Sequence, residues 1–561
     1  MEFIATDILV IGGGGAGSRA ALTAKISNPN LKVMLVTAGK YGFSGSTNFF
    51  ASETLGINAP FNYENDGDNP EIYKNDMLET GLGLANEELC EIISKEASLR
   101  VNDLIDLGIK FDSHENGKIR QYRLSGCTKA RSMSVNGKTG FEIVKVLKNA
   151  NYRQGVNIIE NCKLIDLAAF DGVVHGGIFN TIDRLIFIKA QAVILATGGA
   201  GGAYDYNVNP ASSFGYYGYI SALKAGAKII NIEFIQIGPG VVYPDKKFII
   251  HSYIWSFSPR LLNKKNEEFL EKYLPDNLKA EDVLRAKRFS YPFSCRTIAK
   301  YLDIAIFNEI MCGNGTGEGG IFLDITHVPI RELEGRAYVI YNTFKKIGFD
   351  ISNQLLEIAP MVQSFNGGIM INKNGETGVL GLFAAGEASG GVHGADRPGG
   401  NNLIDCQVFG YRAGDSASNF ISGGKANSRN KSNNRFVDLK VKEIEKNIVS
   451  NKSSENVETS NNLGKLFSRY LSVVRNKDGL NNVLNITEDI IRKKDNVSIN
   501  TTSDLYNTAM IGNLIARSAL LRQESRGIHY REDFPDKSPG LNKRIIACLK
   551  ENEIKTEFER N

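Results

Sequence analysis

Thr6-Asp7-Ile8-Leu9-Val10-Ile11-Gly12-Gly13-Gly14-Gly15-Ala16-Gly17 is the stretch that decides the fold. Residues 6–11 form a short apolar run, the pattern of a strand buried on both faces. A glycine loop over 12–17 follows at once. Residues 18–26 then read as a helix, and 32–37 as a second apolar strand. Together they make a βαβ unit of about 30 residues. Gly12, Gly14 and Gly17 satisfy G-x-G-x-x-G. The first permits a tight turn, the second lets the backbone approach a pyrophosphate, and the third lets the helix close on the strand. Free N–H groups at the helix start then face the phosphates. The second strand ends in Val36-Thr37-Ala38-Gly39-Lys40 instead of the usual acidic residue for the ribose. The Thr37 hydroxyl can make that bond more weakly.

Outward from this unit, further segments point to the same sheet. Residues 190–197 read as a buried parallel strand ending in Ala196-Thr197-Gly198-Gly199. Residues 379–387 form another apolar strand ending in Gly386-Glu387, where a carboxylate can bind the ribityl chain of a flavin. His393-Gly394-Ala395-Asp396-Arg397-Pro398-Gly399-Gly400-Asn401-Asn402-Leu403 follows, with backbone N–H groups at a helix start suited to a flavin's pyrimidine edge. The combination predicts FAD as the cofactor. Residues 69–107 carry apolar residues at helical spacing. Residues 232–351 mix strand and helix signals and read as an inserted domain. The polar, Asn/Ser-rich stretches 422–434 and 450–463 read as flexible connections around a C-terminal helical region.

Bulk properties narrow the function further. A chain of 561 residues has room for two to four domains. A net charge of +4 and the lack of a long Lys/Arg run argue against a nucleic-acid partner. No apolar stretch approaches the roughly 18 residues of a transmembrane span, and the strand pattern starts too early to leave room for a signal peptide. The seven cysteines, Cys90, Cys127, Cys162, Cys295, Cys312, Cys406 and Cys548, are scattered and contain no Cys-x-x-Cys pair. A metal or iron–sulfur site within the chain is therefore not expected. The set reads as reduced core thiols of a cytoplasmic protein.

With these motifs in view, the chain resembles the flavoprotein subunit family of succinate dehydrogenase and fumarate reductase, to which L-aspartate oxidase and the alpha subunit of adenylylsulfate reductase also belong. The likeness runs through Ser44-Gly45-Ser46-Thr47, Ile232-Glu233-Phe234-Ile235-Gln236, Gly319-Gly320-Ile321-Phe322-Leu323-Asp324 and Gly367-Gly368-Ile369. Late in the chain Val473-Val474-Arg475-Asn476 and Glu524-Ser525-Arg526-Gly527 continue it. The resemblance implies an α/β fold: a Rossmann-like FAD-binding domain over 1–231 and 356–421, an inserted α+β capping domain over 232–355, a C-terminal helical domain over 435–540, and a tail over 541–561. The expected cofactor contacts are Gly12, Gly14, Ala16, Gly17, Thr37, Ala38, Lys40, Ser44, Gly45, Ser46, Thr47, Lys163, Leu164, Ala196, Thr197, Gly198, Gly199, Gly386, Glu387, Arg397, Gly400, Asn401, Asn402 and Leu403.

Two departures from the family pattern shape the functional expectation. Ser46 stands where the respiratory enzymes carry a flavin-linked His, so the FAD is expected to be noncovalent. Gly238 and Gln363 stand where those enzymes place substrate-binding His residues, and Trp255 falls on the proton-donating Arg, with His251 and Arg260 as nearby replacements. Only Arg397 keeps its family identity, beside an altered neighbour, Asp396. The catalytic candidates are therefore Arg397, His251, Arg260, Trp255 and Gln363. Arg397 would anchor a small anionic substrate through its forked donors, and hydride exchange would need the reacting carbon about 3–3.5 Å from the flavin. Trp255 offers a flat stacking face instead of an acid. The resemblance further implies an iron–sulfur (ferredoxin-like) partner. Two other readings stay open: a sulfur-compound reductase resembling adenylylsulfate reductase, and an electron-transfer subunit with a degenerate pocket.

Overall fold

The computed structural model describes residues 1–48, 54–210, 213–244, 247–250, 252–424, 454–496, 504–551 and 553–560, with 439 and 442. Its centre is a five-stranded parallel sheet in the order Leu382–Ala384, Ala192–Leu195, Ile8–Ile11, Val33–Val36, Asn157–Ile159. Ile8 to Ile11 are buried on both faces, which is why the run lacks polar alternation. One face is covered by helices Gly15–Ser27, Thr139–Arg153 and Asn401–Ser422, the other by a mixed sheet in which Lys163–Phe170, Val173–Asn180 and Leu185–Lys189 run antiparallel. The strand expected over residues 6–11 is Ile8–Ile11, and a further strand precedes it. Glu2–Ala5 joins that second sheet beside Leu185–Lys189, and only Ile8–Ile11 enters the central one.

Several local expectations are corrected. The first helix starts at Gly15, not at residue 18, so the loop proper is Gly12 to Gly14. Thr47 Oγ1 accepts the Gly15 N–H at 3.1 Å and satisfies the first free donor of that helix. Residues 69–107 are two helices, Pro70–Thr80 and Glu87–Asp106, each N-capped by an Asn side chain, Asn69 on Ile72 N–H at 3.0 Å and Asn86 on Leu89 N–H at 3.2 Å. The stretch 450–463, expected to be a flexible connection, runs into a helix at Ser454–Tyr470. Most of the other polar stretch, 425–434, lies outside the described residues. All seven cysteines are free, but Cys312 is exposed and is no core thiol.

Helices Gly15–Ser27 and Asn401–Ser422 cross at backbone distance. A Cβ at Gly410 would lie 2.7 Å from Ala16 O, and one at Gly414 2.3 Å from Ala20 O. This close crossing sets both helix starts on the same side of the sheet. The cap is a four-stranded antiparallel sheet, Ile235–Tyr243, Leu356–Phe365, Ile321–Asp324 and Arg260–Leu262, with its own apolar core around Trp255, Phe248, Phe344 and Ile358. The C-terminal helices Ser454–Tyr470, Lys477–Asn496 and Asp504–Leu521 share the main core. Hairpin Ile545–Lys550/Glu553–Phe558 pairs with Ile229–Ile230.

Three motifs separated in sequence meet in one buried charge cluster. Arg522 Nε lies 2.7 Å from Glu233 Oε1 and its Nη1 2.9 Å from Glu524 Oε1, while Arg526 Nε lies 2.7 Å from the same Glu524 oxygen. Arg475 Nη1 donates to Glu233 O at 2.7 Å. Removing one partner would strand a buried charge. The cluster therefore ties the helical part to the strand entering the cap. Among the described residues, no helix is long and apolar enough to cross a membrane.

Candidate active site

A continuous cavity opens along the carboxyl ends of the central strands, where ligands of open α/β sheets bind. Its first wall is backbone. Gly12 has φ +118°, and a Cβ there would sit 2.1 Å from Ala196 O. Only glycine fits both constraints. Gly17 serves the helix–strand contact its spacing predicts, since a Cβ there would meet Gly12 O at 1.9 Å. Gly13 and Gly14 from the loop, Gly15 and Ala16 from the first helix, and Asn402 and Leu403 from the second line the cavity. Two helix starts thus turn free N–H groups toward one volume, an arrangement suited to phosphate and to a flavin's polar edge.

Side chains close the rest of this region. Thr37 lines the cavity with its Oγ1 3.3 Å from Ser44 Oγ. Ser46 Oγ donates to Asn209 Oδ1 at 2.8 Å, which leaves Asn209 Nδ2 buried without a partner among the described residues. Glu387 accepts the Phe365 N–H at 3.0 Å. Burial pushes its carboxyl up to about 7, against the lowering effect of the backbone donors of Phe365 and Gly199 and of Arg397. Lys163 reaches the cavity wall, but its ammonium turns to Asp504 Oδ1 at 2.5 Å and stacks over Phe214. A ligand with phosphates and hydroxyls fits this wall, because it would occupy the unpartnered Asn209 amide and give Glu387 donors.

The cap-facing region is built from side chains. Arg397 donates from Nη1 to Pro398 O at 3.1 Å and from Nη2 to Gln236 Oε1, while its Nε is buried without a partner among the described residues. Gln236 Oε1 also accepts Ser364 Oγ at 2.7 Å, and Asn402 Nδ2 donates to Ser364 Oγ at 3.3 Å. Burial pushes the Arg397 guanidinium down to about 10, with Asp396, Glu387 and Asp405 opposing. It remains charged at neutral pH. Asp396 holds the backbone of the anchor: Oδ1 accepts Arg397 N–H at 2.7 Å, and Oδ2 accepts Ser294 Oγ from the cap at 2.7 Å. Gln363 lines the same region with Oε1 buried and unpartnered among the described residues. Ile249, Tyr291 and Pro292 complete the wall from the cap.

Most of the expected contacts converge on this cavity. Five do not touch it: Gly17, Lys40, Gly199, Gly386 and Asn401. Lys40 lies over the Phe43 ring instead. Gly199 makes room for Glu387, whose Oε1 would be 2.2 Å from a Cβ there. Gly386 lies against Ala16, whose Cβ would be 2.6 Å from its own. Asn401 is held by Asn58 at 2.7 Å and Tyr73 at 2.8 Å. Of the catalytic candidates, Arg397 and Gln363 come together. Trp255 lies inside the cap's core, with Nε1 unpartnered among the described residues, and does not line the cavity. Arg260 pairs across the cap sheet with Asp324 and is half-exposed. His251 lies outside the described residues. Sequence reasoning missed Asn209, Tyr291, Ser364 and the segment Gly137 to Gly140. The last carried a readable signal, glycines and a threonine immediately before an apolar helical pattern. The others stand in no motif.

Comparison with known proteins bears on the same residues. The family described as "FAD binding domain" matches residues 7–403, and "Fumarate reductase flavoprotein C-term" matches 460–559. The chain is similar to a fumarate reductase (CoM/CoB) subunit of Methanothermobacter marburgensis, 33% identical over 98% of each chain. It is also similar to the L-aspartate oxidase of Saccharolobus solfataricus, 29% identical over 97% of this chain and 100% of the other. Among solved structures it resembles Mycobacterium smegmatis Sdh1 in complex with UQ1, with a TM-score of 0.83, 26% identity, and coverage of 100% of this chain and 94% of that one.

Proposed function

The chain belongs to the FAD-dependent flavoprotein family of fumarate reductase and succinate dehydrogenase, and from that premise we propose that it exchanges a hydride with a small anionic substrate anchored by Arg397 and exchanges electrons with a separate iron–sulfur protein. The observation that carries this reading is the Arg397 guanidinium, buried at the cap-facing wall with Nε unpartnered among the described residues, in the cavity that Gln363 also lines. A buried donor left unmade is costly, and a carboxylate or similar anion would satisfy it. The fork geometry fixes such a group in two dimensions. Fumarate and L-aspartate, named for two of the relatives, are both four-carbon dicarboxylates. They support that size and charge class for this site.

Bound FAD supplies the hydride acceptor or donor. The chain's own residues do the rest. The glycine wall and the two helix starts hold the phosphates, and Glu387 and Asn209 take hydroxyl or amide partners. Ser46 offers no nucleophilic ring nitrogen for attachment, so the FAD is held noncovalently. Gln236 and Asp396 fix the guanidinium and the backbone of Arg397, and Ile249 and Pro292 exclude water from above. Electrons need an exit or an entry. Among the described residues no cluster of His, Cys, Asp or Glu could hold a metal ion. The name of the Methanothermobacter relative marks that protein as one of the subunits of an enzyme. Both support a separate electron carrier.

Acid precipitation of the purified holoprotein should release its flavin into the supernatant, and flavin retained in the pellet would contradict noncovalent binding. The function itself is tested anaerobically. Dithionite-reduced protein is mixed with fumarate, and oxidised protein with succinate or L-aspartate, while flavin absorbance is followed. Saturable reoxidation or bleaching by one of these supports the reading. Flavin that answers to a ferredoxin but to none of the three identifies a pure electron carrier and overturns it. Full turnover on oxygen alone, with stoichiometric peroxide, removes the need for an iron–sulfur partner.

A further inference from the structure

The cap presents two features that the proposed function does not use: Tyr291, and a fully buried ion pair beneath it. Tyr291 lines the cavity. Its hydroxyl oxygen lies 2.9 Å from where a Cβ at Gly238 would be, so the bare position at 238 is what admits the phenol. Gln236, which holds Arg397, is two residues earlier on the same strand, roughly 6–7 Å away. Tyr291 and Arg397 thus line one cavity, each against a neighbouring position of the same cap strand. The segment carrying Tyr291 is fixed from three sides. Phe293 N–H donates to Ile237 O at 2.9 Å, Ser294 Oγ to Asp396 at 2.7 Å, and Cys295 N–H to Gly527 O at 2.7 Å.

Behind the ring, Lys287 Nζ lies 5.6 Å from its centre and 2.5 Å from Asp303 Oδ2, with side-chain exposures of 0% and 2% for the pair. Asp303 Oδ1 has no partner among the described residues. Apolar replacement of such a pair is often neutral or stabilising, so stability alone does not account for it. A perturbed buried pair beside a cleft is a functional signature.

We propose, building on the function proposed above, that Tyr291 is the proton donor to the substrate during its reduction and that Lys287–Asp303 is the store that reprotonates it. The hydride leaves reduced FAD for one carbon of the substrate's double bond, carrying the electron pair. The Tyr291 O–H gives its proton to the other carbon, and the phenolate takes one from the Lys287 ammonium, which recovers it from solvent. Oxidised FAD and a saturated acid remain. In the opposite direction the phenolate accepts the proton. Burial, with Asp303 adding to it, holds the phenol well above its ordinary range, so it stays a neutral donor.

The test compares wild-type holoprotein with Tyr291→Phe, which keeps the ring over Lys287. Dithionite-reduced protein is reoxidised by ferricyanide, which takes electrons without a proton on carbon, and by fumarate. Malonate, an unreactive dianion, is titrated by its effect on the flavin spectrum. Expected for Tyr291→Phe are unchanged FAD occupancy and ferricyanide rate, a fumarate rate lower by about a hundredfold or more, and malonate binding weaker by about tenfold. A fumarate rate within threefold of wild type overturns the proposal. A wild type inert to fumarate that still binds malonate counts against the proposed substrate class. In that case unchanged malonate affinity in Tyr291→Phe overturns the role of Tyr291 separately, and weakened affinity upholds it. Joint replacement Lys287→Met with Asp303→Leu should slow fumarate while leaving malonate and FAD binding intact, and a full rate there overturns the store.

Discussion

The two regions of the cavity are built by opposite means. The nucleotide side is framed by backbone, made of glycines, close-crossing helices and helix starts, with side chains such as Thr37, Ser46, Asn209 and Glu387 closing it. The cap-facing side gathers side chains from distant segments: Tyr291, Gln363 and Arg397 line it, and Gln236 and Asp396 hold Arg397. A backbone wall recognises what every FAD shares. A side-chain wall can be rewritten residue by residue without disturbing the cofactor, which is how one fold carries different substrates. The two regions should therefore fail independently.

The largest expected effect breaks the first region. Gly12→Val places a branched side chain at φ +118° and into Ala196 O, 2.1 Å from its Cβ. Flavin and activity should vanish together, with a soluble yield well below wild type. Absorbance of the purified protein checks this, and a yellow Val variant would contradict the backbone account.

A smaller effect sharpens the boundary between the regions. Glu387 titrates at about 7 in the folded protein against an ordinary 4.5. Between those values the unfolded chain binds fewer protons than the folded one, so FAD-free protein should lose stability as pH rises from about 4.5 to about 7. The loss is on the order of 1–3 kcal/mol, and Glu387→Gln should remove that slope. Urea midpoints across this pH range measure it, and a flat profile in the unsubstituted apoprotein would count against the buried carboxylate.

The smallest effect concerns Arg260, which is half-exposed and paired with Asp324 away from the cavity. Arg260→Ala should leave turnover unchanged and cost about 1 kcal/mol, because the buried Asp324 keeps the N–H and Oγ1 of Thr326 as donors. A strong loss of kcat would place it in the chemistry after all.

The same contrast explains what the sequence disclosed. A backbone wall prints itself as glycine, because the constraint and the residue type coincide at Gly12 and Gly17. Hence the βαβ unit, the two later strand ends and the cofactor side were readable from motif and spacing. Gly15 was misplaced in the loop because glycine does not reveal where a helix begins once Thr47, far along the chain, supplies its first acceptor. The helix break at 81–86 was hidden because apolar periodicity continued across it. On the cap side Arg397 and Gln363 were visible through neighbouring motifs. Tyr291 was not, because its significance comes from the emptiness of Gly238, more than fifty positions earlier in the chain. Trp255 was reached by register against the family's proton-donating Arg, and register along the chain does not show that its ring packs into the cap's core.

Arg397→Lys tests the central claim most directly, by FAD occupancy and turnover measured on the same sample with whichever of fumarate, succinate or L-aspartate the wild type accepts. The charge is kept while the forked geometry is lost, and a misplacement of about 1 Å costs on the order of a hundredfold. The account predicts full flavin occupancy, an unchanged melting temperature and turnover lower by about a hundredfold or more. Flavin lost in parallel with activity, or turnover retained, would contradict it.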